Sequence, residues 1–304
     1  MPKKRTVVLA LIILALVIIV PIMATVNAQN AKSEEIDSTM SRINMWQIDG
    51  FEGGKGSRKA FLEKCATKCF IDENVYLNVV TLTAEAAREN VAMGNLPDII
   101  SYPSLFYGIE NLINNTDFVN KIWCNGSYFL LTLEGNFDDF TPQNTVINNG
   151  KDNLANVAAI FCRLNGAARE QPSNAYTKLI SGKYKYLLGT QRDVFRLKTR
   201  GVSFKVKQLN SYNDLYQNVS IITKDSYNYQ LCSRFVSYLC SENCDVSSLG
   251  VFSEYCKNLG DDVSFDYTAE YEYRAFGPCG KSYVDELNSA AQNNNIDKLK
   301  SLLK

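Results

Sequence analysis

The residues most suited to ligand binding surround a glycine-rich turn near the start of the chain. An apolar run at 43–48 is followed by Asp49, Glu52 and four glycines, and the segment after Ser57 has the composition of a helix. Strand, turn and helix start form half of a βα unit, and ligands of open α/β sheets bind just past the carboxyl ends of such strands. We therefore predict that Trp46, Asp49 and Glu52 face a cleft, although such a turn can also serve only to reverse the chain.

The glycine turn does not match the phosphate-binding loops of nucleotide-binding proteins. A P-loop places four residues between its glycines and then continues Gly-Lys-Ser/Thr, whereas three residues separate Gly50 from Gly54, and Lys55 is followed by Gly56. The dinucleotide fingerprint also fails, because no third glycine follows Gly56 at the required spacing. The sequence therefore predicts no nucleotide cofactor, and we expect no other cofactor.

Aromatic residues provide further candidates, because a flat ring presents an apolar face to a ligand. Tyr102 and Tyr107 lie at and just beyond the end of the apolar run 96–102, and Tyr212 lies close to a candidate hinge. For Trp46, a place in the hydrophobic core is the alternative to a place in the cleft. We predict that these four aromatic side chains contact the ligand.

Arg192 and Asp193 are the strongest polar candidates in the second half of the chain. They follow the strand candidate 184–188, where polar groups gather beyond a strand's carboxyl end. A guanidinium can bind vicinal hydroxyls or a carboxylate through two parallel hydrogen bonds. In the alternative interpretation, Arg192 and Asp193 form an ion pair with each other or close two lobes together.

The composition excludes several classes of protein. The chain has 304 residues, enough for two lobes, with 32 basic and 32 acidic residues, whereas a nucleic-acid-binding protein normally carries a basic face. It contains no histidine, which excludes Ser-His-Asp and Cys-His catalysis and zinc sites built on imidazole. A glycosidase with two carboxylates is an alternative, but no carboxylate pair stands out by its context. We therefore predict no catalytic residue and no enzymatic activity.

The N-terminus has the pattern of an export signal. Basic residues at 3–5 precede the apolar stretch 6–26, and small residues at 26 and 28 match a signal-peptidase site. The apolar stretch is also long enough to span a bilayer. Residues 1–28 are therefore predicted to be a signal peptide, cleaved near Ala28, or an uncleaved signal anchor, with a polar linker at 29–41. Both alternatives place the rest of the chain outside the cell membrane.

Strand and helix patterns alternate along the body of the chain, which predicts an α/β fold with a mostly parallel sheet. We predict one strand at 123–132, a polar stretch at 134–153 and a single last helix at 283–303. Further predicted strands are 75–80, 184–188, 204–207 and 219–222, and further predicted helices are 57–69, 84–93, 154–166, 173–181 and 227–241.

The nine cysteines admit two interpretations. Export to an oxidising compartment favours disulfides, whereas cysteines such as Cys232, in an apolar stripe at helical spacing, behave as small buried apolar residues. The C-x-x-x-C spacings at Cys65/Cys69 and Cys240/Cys244 differ from the paired C-x-x-C of a zinc site. We therefore predict no metal site. Because the number is odd, at least one cysteine lacks an intrachain partner.

Four stretches of the sequence carry a resemblance when taken together and in order: WQIDGFEGGKGSR at 46–58, NLPDIISY at 95–102, LLGTQRDVFR at 187–196 and YNDLYQ at 212–217. They resemble the extracellular solute-binding proteins of Gram-positive ABC transporters, a large group with many sugar-binding members. The resemblance extends from about residue 42 to about residue 255. The chain departs from typical members because it lacks a lipobox cysteine and is shorter.

The resemblance implies a two-lobe periplasmic-binding-protein-like fold of type II, with lobe one at 42–125 plus 217–245 and lobe two at 126–216 plus 246–304. It also implies a function: a monomer captures a small ligand, by analogy a carbohydrate, between its lobes and delivers it to an ABC permease in the membrane. An aromatic ring such as Trp46 would then stack on the sugar. The missing lipobox favours an alternative, a membrane-tethered sensor or interaction protein with a degenerate binding-protein fold.

Overall fold

Strands and helices alternate through most of the chain in the computed structural model, as the sequence pattern predicts. Residues 40–50, 55–113, 121–150, 155–222, 228–253, 270–275 and 277–303 are described. In chain order the elements are β1 Ser41–Ile48, α1 Arg58–Cys69, β2 Val75–Leu82, α2 Ala84–Ala92, β3 Ile99–Pro103, α3 Glu110–Ile113, β4 Lys121–Asn125, β5 Tyr128–Thr132, β6 Thr145–Asn148, α4 Ala155–Phe161, β7 Ala168–Glu170, α5 Pro172–Ile180, β8 Tyr186–Thr190, α6 Gln191–Thr199, β9 Lys205–Leu209, β10 Tyr212–Asn213, β11 Tyr216–Ile221, α7 Tyr229–Leu239, β12 Tyr273–Arg274, α8 Lys281–Gln292 and α9 Ile296–Leu302, with 3-10 turns at Pro142–Asn144 and Val246–Leu249.

The chain divides into a small unit, Met1–Arg42 with Asp72–Tyr76, and a large one, Ile43–Ile71 with Leu77–Lys304. In the small unit the Ser41 N–H donates to the Asn74 carbonyl at 2.9 Å. The large unit contains the cavity described below. The predicted signal or anchor segment lies outside the described residues. None of the helices that the structure describes combines the length and apolar composition needed to cross a bilayer.

The two five-stranded sheets have the same topology. The first has the order β2-β1-β3-β11-β4, and the second has the order β7-β6-β8-β5-β9. In each sheet the strand in the fourth place runs antiparallel to both its neighbours: β11 lies between β3 and β4, and β5 lies between β8 and β9. The central pairs β1–β3 and β6–β8 are parallel. Each sheet with its helices forms one lobe.

The chain passes between the lobes immediately after β4, where the sequence pattern predicts a continuous strand. The prediction of one strand at 123–132 is wrong, because β4 pairs in the first sheet and β5 in the second. The break falls at Gly126 and Ser127. The Gly126 N–H donates to the Leu215 carbonyl at 2.6 Å, and the Ser127 N–H donates to Gln191 Oε1 at 2.8 Å. The first bond holds the outgoing crossing against the returning one, and the second attaches the outgoing crossing to the start of α6.

Two further differences from the sequence prediction concern the stretch 134–153 and the last predicted helix. The polar stretch 134–153 contains the buried strand β6. The predicted helix 283–303 is two helices, because Asn294 has a φ of +50° and interrupts the helical conformation between α8 and α9. Asn295 then caps α9 by accepting a hydrogen bond from the Lys298 N–H at 3.0 Å.

Stability at alkaline pH is expected to depend on the buried thiol of Cys124, because burial raises its pKa to about 12 from an ordinary value of 9.0. Between these values the unfolded chain binds fewer protons than the folded one, so the free energy of unfolding falls by about 1.4 kcal/mol per pH unit for this thiol. Below pH ~9 the thiol keeps its proton in both the folded and the unfolded state, so its contribution to stability is fully present. Urea unfolding at a series of pH values should show a shallower alkaline decline in Cys124→Ala. Equal slopes in the two proteins would contradict this prediction.

Candidate ligand-binding site

A cavity of about 390 Å³ lies between the two lobes, at the carboxyl ends of β3 and β6. This is the edge at which α/β sheets bind ligands, because the side chains and helix starts that follow parallel strands meet there. The volume falls within the range of small-molecule sites. The cavity is lined by Ala84, Glu85, Arg88, Pro103, Ser104, Leu105, Phe106, Tyr107, Asn149, Gly150, Asn156, Gln171, Val284 and Asn288.

Arg88 is the principal charged group on the lobe-one wall. It lies on α2, one turn beyond the capped start of that helix, where Thr83 Oγ1 accepts a hydrogen bond from the Ala86 N–H at 3.2 Å. The guanidinium lies over the Tyr107 ring, 4.4 Å from its centroid, and pairs with Glu85 at 3.7 Å. The Arg88 side chain is 26% exposed and that of Glu85 is 77% exposed. The wall therefore combines a partly buried cation, its acidic partner and an aromatic ring.

The turn after β3 carries this wall and is held firmly by its backbone. The Ser104 N–H donates to the Tyr216 carbonyl at 3.0 Å, and the Phe106 carbonyl accepts from the Cys279 N–H at 3.2 Å. Leu105 has a φ of +62°, a left-handed conformation that costs a non-glycine residue about 1–2 kcal/mol. Such strain persists only where surrounding contacts fix the chain. The turn therefore offers the ligand a pre-formed surface.

Neutral amides dominate the lobe-two wall. Asn149 follows β6, and its N–H donates to the Glu170 carbonyl at 2.8 Å. Asn156 lies on the first turn of α4, and its Oδ1 is buried and accepts no hydrogen bond from any residue that the structure describes. Gln171 immediately precedes α5, and Asn288 reaches the cavity from α8. A buried amide oxygen without a partner is costly and therefore favours a hydrogen-bond donor from a ligand.

Asp193 holds the framework of lobe two together and does not belong to the cavity wall. Its side chain is fully buried, and its Oδ2 accepts hydrogen bonds from Asn148 Nδ2 at 2.7 Å and from the Thr190 N–H at 3.2 Å. Arg196 lies 3.5 Å from Oδ1. These contacts join the end of β6 to the start of α6. Arg192, on the same first turn, is partly buried and is not among the residues that line the cavity.

Trp46 and Tyr102 lie in the hydrophobic core of lobe one. Trp46 is 9% exposed and packs in one cluster with Tyr102 and Phe106, so the structure favours the core alternative for its ring. Tyr102 is fully buried, and its hydroxyl is 3.0 Å from Ser220 Oγ. Tyr212, 1% exposed, stacks on Phe161 with ring centroids 5.7 Å apart. None of these three residues lines the cavity.

The remaining predicted residues are divided among three places. Asp49 is exposed, pairs with Arg58 at 3.4 Å and accepts a hydrogen bond from Gln47 Nε2 at 3.2 Å. Glu52 lies outside the described residues. Among the predicted residues that the structure describes, Tyr107 alone lines the cavity. The structure thus brings Tyr107 together with Arg88 and the amides, which the sequence patterns do not single out.

The cavity residues that the sequence patterns do not single out nevertheless carry usable signals. Asn149 and Gly150 follow the short apolar pair Val146 and Ile147, a pattern typical of a buried strand with polar residues past its end. Arg88 lies four residues after the start of a capped helix. Among the described residues, no group of three or more cysteine or acidic side chains is arranged to hold a metal ion.

Within the part of the chain that the structure describes, three segments connect the two lobes, and their residues lie outside the cavity lining. The first two are the crossings at 126–127 and 214–215, where Asn213 Nδ2 also donates to the Gly126 carbonyl at 2.9 Å. The third contains Phe252, whose N–H and carbonyl exchange hydrogen bonds with Asn125 at 2.9 and 2.8 Å. The Tyr128 hydroxyl donates to Asp214 Oδ1 at 2.8 Å, and burial followed by the Asp214 charge raises the pKa of this phenol. These hydrogen bonds hold the connecting segments close to one another.

Solved structures of two solute-binding proteins share this fold. The substrate-binding domain of a putative molybdenum ABC transporter from Clostridium difficile matches with a TM-score of 0.51 and 13% identity, over 70% of this chain and 99% of that one. Iron-bound HitA from Pseudomonas aeruginosa matches with a TM-score of 0.53 and 11% identity, over 85% and 99%. No family model and no curated protein matches the sequence. The predicted two-lobe, type II periplasmic-binding-protein-like fold is confirmed, and at these identities the likeness concerns the fold alone.

Proposed function

We propose that this chain is a solute-binding protein that captures a small ligand between its lobes. The observation that supports this most directly is the cavity at the carboxyl ends of β3 and β6, with Arg88 and Tyr107 on one wall and Asn149 and Asn156 on the other. A ligand that contacts both walls binds the closed arrangement better than an open one, and this difference shifts the population toward the closed form.

The proposed ligand is a neutral polyhydroxylated molecule, most simply a carbohydrate. Amides such as Asn149, Asn156 and Gln171 offer both donors and acceptors, which matches the two roles of each hydroxyl group. The positive charge of Arg88 is already paired with Glu85 at 3.7 Å, so the site favours a neutral ligand over a free anion. The Tyr107 ring supplies an apolar face for the C–H side of a sugar.

The proposed cellular role is delivery of the ligand to an ABC permease from outside the membrane. We propose the lobe limits given by the sequence resemblance, 42–125 plus 217–245 and 126–216 plus 246–304, with residues 1–28 as signal peptide or anchor. Binding by a monomer is sufficient for this role, because both walls of the cavity come from one chain. Closure would change the surface that the two lobes present jointly, which gives a permease a means to distinguish loaded protein from empty protein.

Ligand-dependent stabilisation of the purified protein is the test of this proposal. One carbohydrate in a panel of mono- and oligosaccharides, amino acids, sulfate, molybdate and ferric iron should raise the free energy of unfolding by about 2.7 kcal/mol at 100 times its dissociation constant. Asn156→Ala and Tyr107→Ala should each weaken binding about tenfold, because each removes about 1–1.5 kcal/mol of contact. Isothermal titration calorimetry measures the dissociation constants.

Glu89→Ala provides the matched control, because Glu89 lies on α2 beside Arg88 but is exposed and does not line the cavity. This variant should bind like the wild type. If an anion or a metal ion raises the free energy of unfolding and no carbohydrate does, the proposed ligand class is refuted but the proposed binding site is not. Binding that is unchanged in both cavity variants would refute the site itself.

A further inference from the structure

Two buried cysteines from distant parts of the sequence meet in lobe one. Cys65 lies on α1 and Cys244 lies in the turn that follows α7, and their Sγ atoms are 3.7 Å apart. Cys65 is 5% exposed and Cys244 is 1% exposed, and both are free thiols in this structure. A disulfide requires the sulfur atoms to approach to about 2.0 Å. The two side chains therefore need only a small shift to form a bond.

The elements that carry the two sulfur atoms are held together by packing. Phe70, just past α1, stacks on Phe235 of α7 with ring centroids 6.4 Å apart, and the Arg234 guanidinium lies 5.3 Å from the Phe70 ring centroid. The turn that carries Cys244 is also fixed, because the Cys244 N–H donates to the Ser241 carbonyl at 3.1 Å. The short distance between the two thiols is thus imposed by the fold.

The two thiols are chemically unequal. A hydrogen bond from Cys244, assisted by Lys68 and Lys64 and opposed by burial, lowers the pKa of Cys65. The same hydrogen bond, together with burial, raises the pKa of Cys244. A thiolate is the attacking species in disulfide exchange. Cys65 is therefore the thiol that reacts first, and Cys244 resolves the intermediate.

We propose that Cys65 and Cys244 are a redox pair that closes to a disulfide across the two chain segments of lobe one. The oxidant is a small disulfide, such as oxidised glutathione, or the disulfide of an oxidoreductase. The pair thereby links the segment that begins lobe one to the segment that returns to it from lobe two. This inference is independent of the ligand and of the proposed transport role.

The reaction balances as two successive exchanges. The Cys65 thiolate attacks one sulfur of the oxidant, the oxidant's S–S bond breaks, and its other sulfur leaves as a thiolate. Cys244 then loses its proton and attacks Cys65 Sγ, and the second thiolate of the oxidant is expelled. The two cysteines lose two electrons and two protons in total, which the oxidant takes up as it becomes two thiols. Local opening of the buried pair, or incomplete folding, gives the oxidant access.

Equilibration of the full-length protein with glutathione provides the test. In about tenfold excess of oxidised over reduced glutathione, two of the nine thiols should be lost to titration in denaturant. Proteolysis and mass spectrometry should identify one cross-linked pair, Cys65 with Cys244. The oxidised protein should melt about 5–10 °C higher, because the bond closes a long loop of the unfolded chain.

Cys65→Ala and Cys244→Ala should each abolish both the cross-link and the rise in Tm. Cys232→Ala is the matched control, because Cys232 is equally buried on α7 but should not take part in the bond. Complete alkylation of Cys65 and Cys244 after oxidation would overturn the proposal, as would a cross-link from Cys65 to Cys69 or from Cys244 to Cys240. Because the wild-type peptide map alone decides this, a variant that fails to fold leaves the test intact.

Discussion

Replacing Trp123 by alanine is expected to lower the free energy of unfolding by about 3–5 kcal/mol, a large loss for a single substitution. Trp123 is fully buried on β4 and stacks on Phe61 of α1 with ring centroids 6.0 Å apart. Its Nε1 donates to Ser101 Oγ on β3 at 3.0 Å. The variant removes this ring and leaves Ser101 without one of its partners, so a cavity and a lost hydrogen bond add to each other.

Urea unfolding followed by circular dichroism measures this loss. Trp123→Phe should keep a ring against Phe61 and lose the hydrogen bond and part of the buried ring volume, so its destabilisation should be smaller. Met93→Ala, at a side chain that is 67% exposed, should change the free energy of unfolding by less than about 0.5 kcal/mol. A loss below about 1 kcal/mol in Trp123→Ala would show that the ring does not hold α1 on the sheet.

Gly50→Ala is expected to impair both stability and ligand binding. An added Cβ would lie 1.7 Å from Cβ and 2.0 Å from Cγ of Pro103, and a proline ring cannot rotate away. Pro103 ends β3 and lines the cavity, so the end of that strand must move. Overpacking of this kind costs about 1–3 kcal/mol or more, and a displaced wall should weaken ligand binding at least tenfold.

Two comparison variants isolate the cause of the Gly50→Ala defect. At Gly280, the N-cap of α8, an added Cβ would meet only Ser282 Oγ at 3.7 Å, an ordinary contact. Gly280→Ala should therefore lose only the N-cap preference for glycine over alanine, about 0.5–1 kcal/mol, and leave the end of β3 in place. Pro103→Gly removes the ring with which the new Cβ of Gly50→Ala would clash. Adding Gly50→Ala to Pro103→Gly should therefore cost less free energy of unfolding than adding it to the wild type. Additive losses in the double variant would rule out the clash with Pro103 as the cause.

The sequence predicts the local elements of this fold well and the partners of some strands poorly. The helices α1, α2 and α5 and the strand β2 form near the expected positions, because their caps and patterns are local. The local pattern does not reveal the break at Gly126, since β4 and β5 are both apolar and only tertiary pairing assigns them to different sheets. A lobe boundary at 125/126 comes from the family resemblance and not from the strand pattern. Sheet membership depends on contacts distant in sequence, which no local pattern records.

The sequence pattern places its candidate residues past the carboxyl ends of strands, but the cavity is lined largely by other residues. Polar groups do gather past the carboxyl ends of parallel strands, and the cavity uses the ends of β3 and β6. The position of Trp46 before the glycine turn suggests a place in the cleft. However, Trp46 lies on β1, an interior strand that is buried over most of its length, so its ring packs into the core. The amide side chains that follow β6 are not predicted, because β6 is a buried strand of only four residues within a polar stretch and gives only a weak strand pattern.

The position of β11 in the first sheet has a consequence for synthesis on the ribosome. Since β11 lies between β3 and β4, these two strands cannot complete their pairing until β11 has been made. The second sheet, by contrast, is built from one continuous stretch, β5 to β9. The segment from β1 to β4 must therefore wait, with strand edges open, until the second sheet has emerged. Completion of the lobe that is translated first is thus the late event in the folding of the nascent chain.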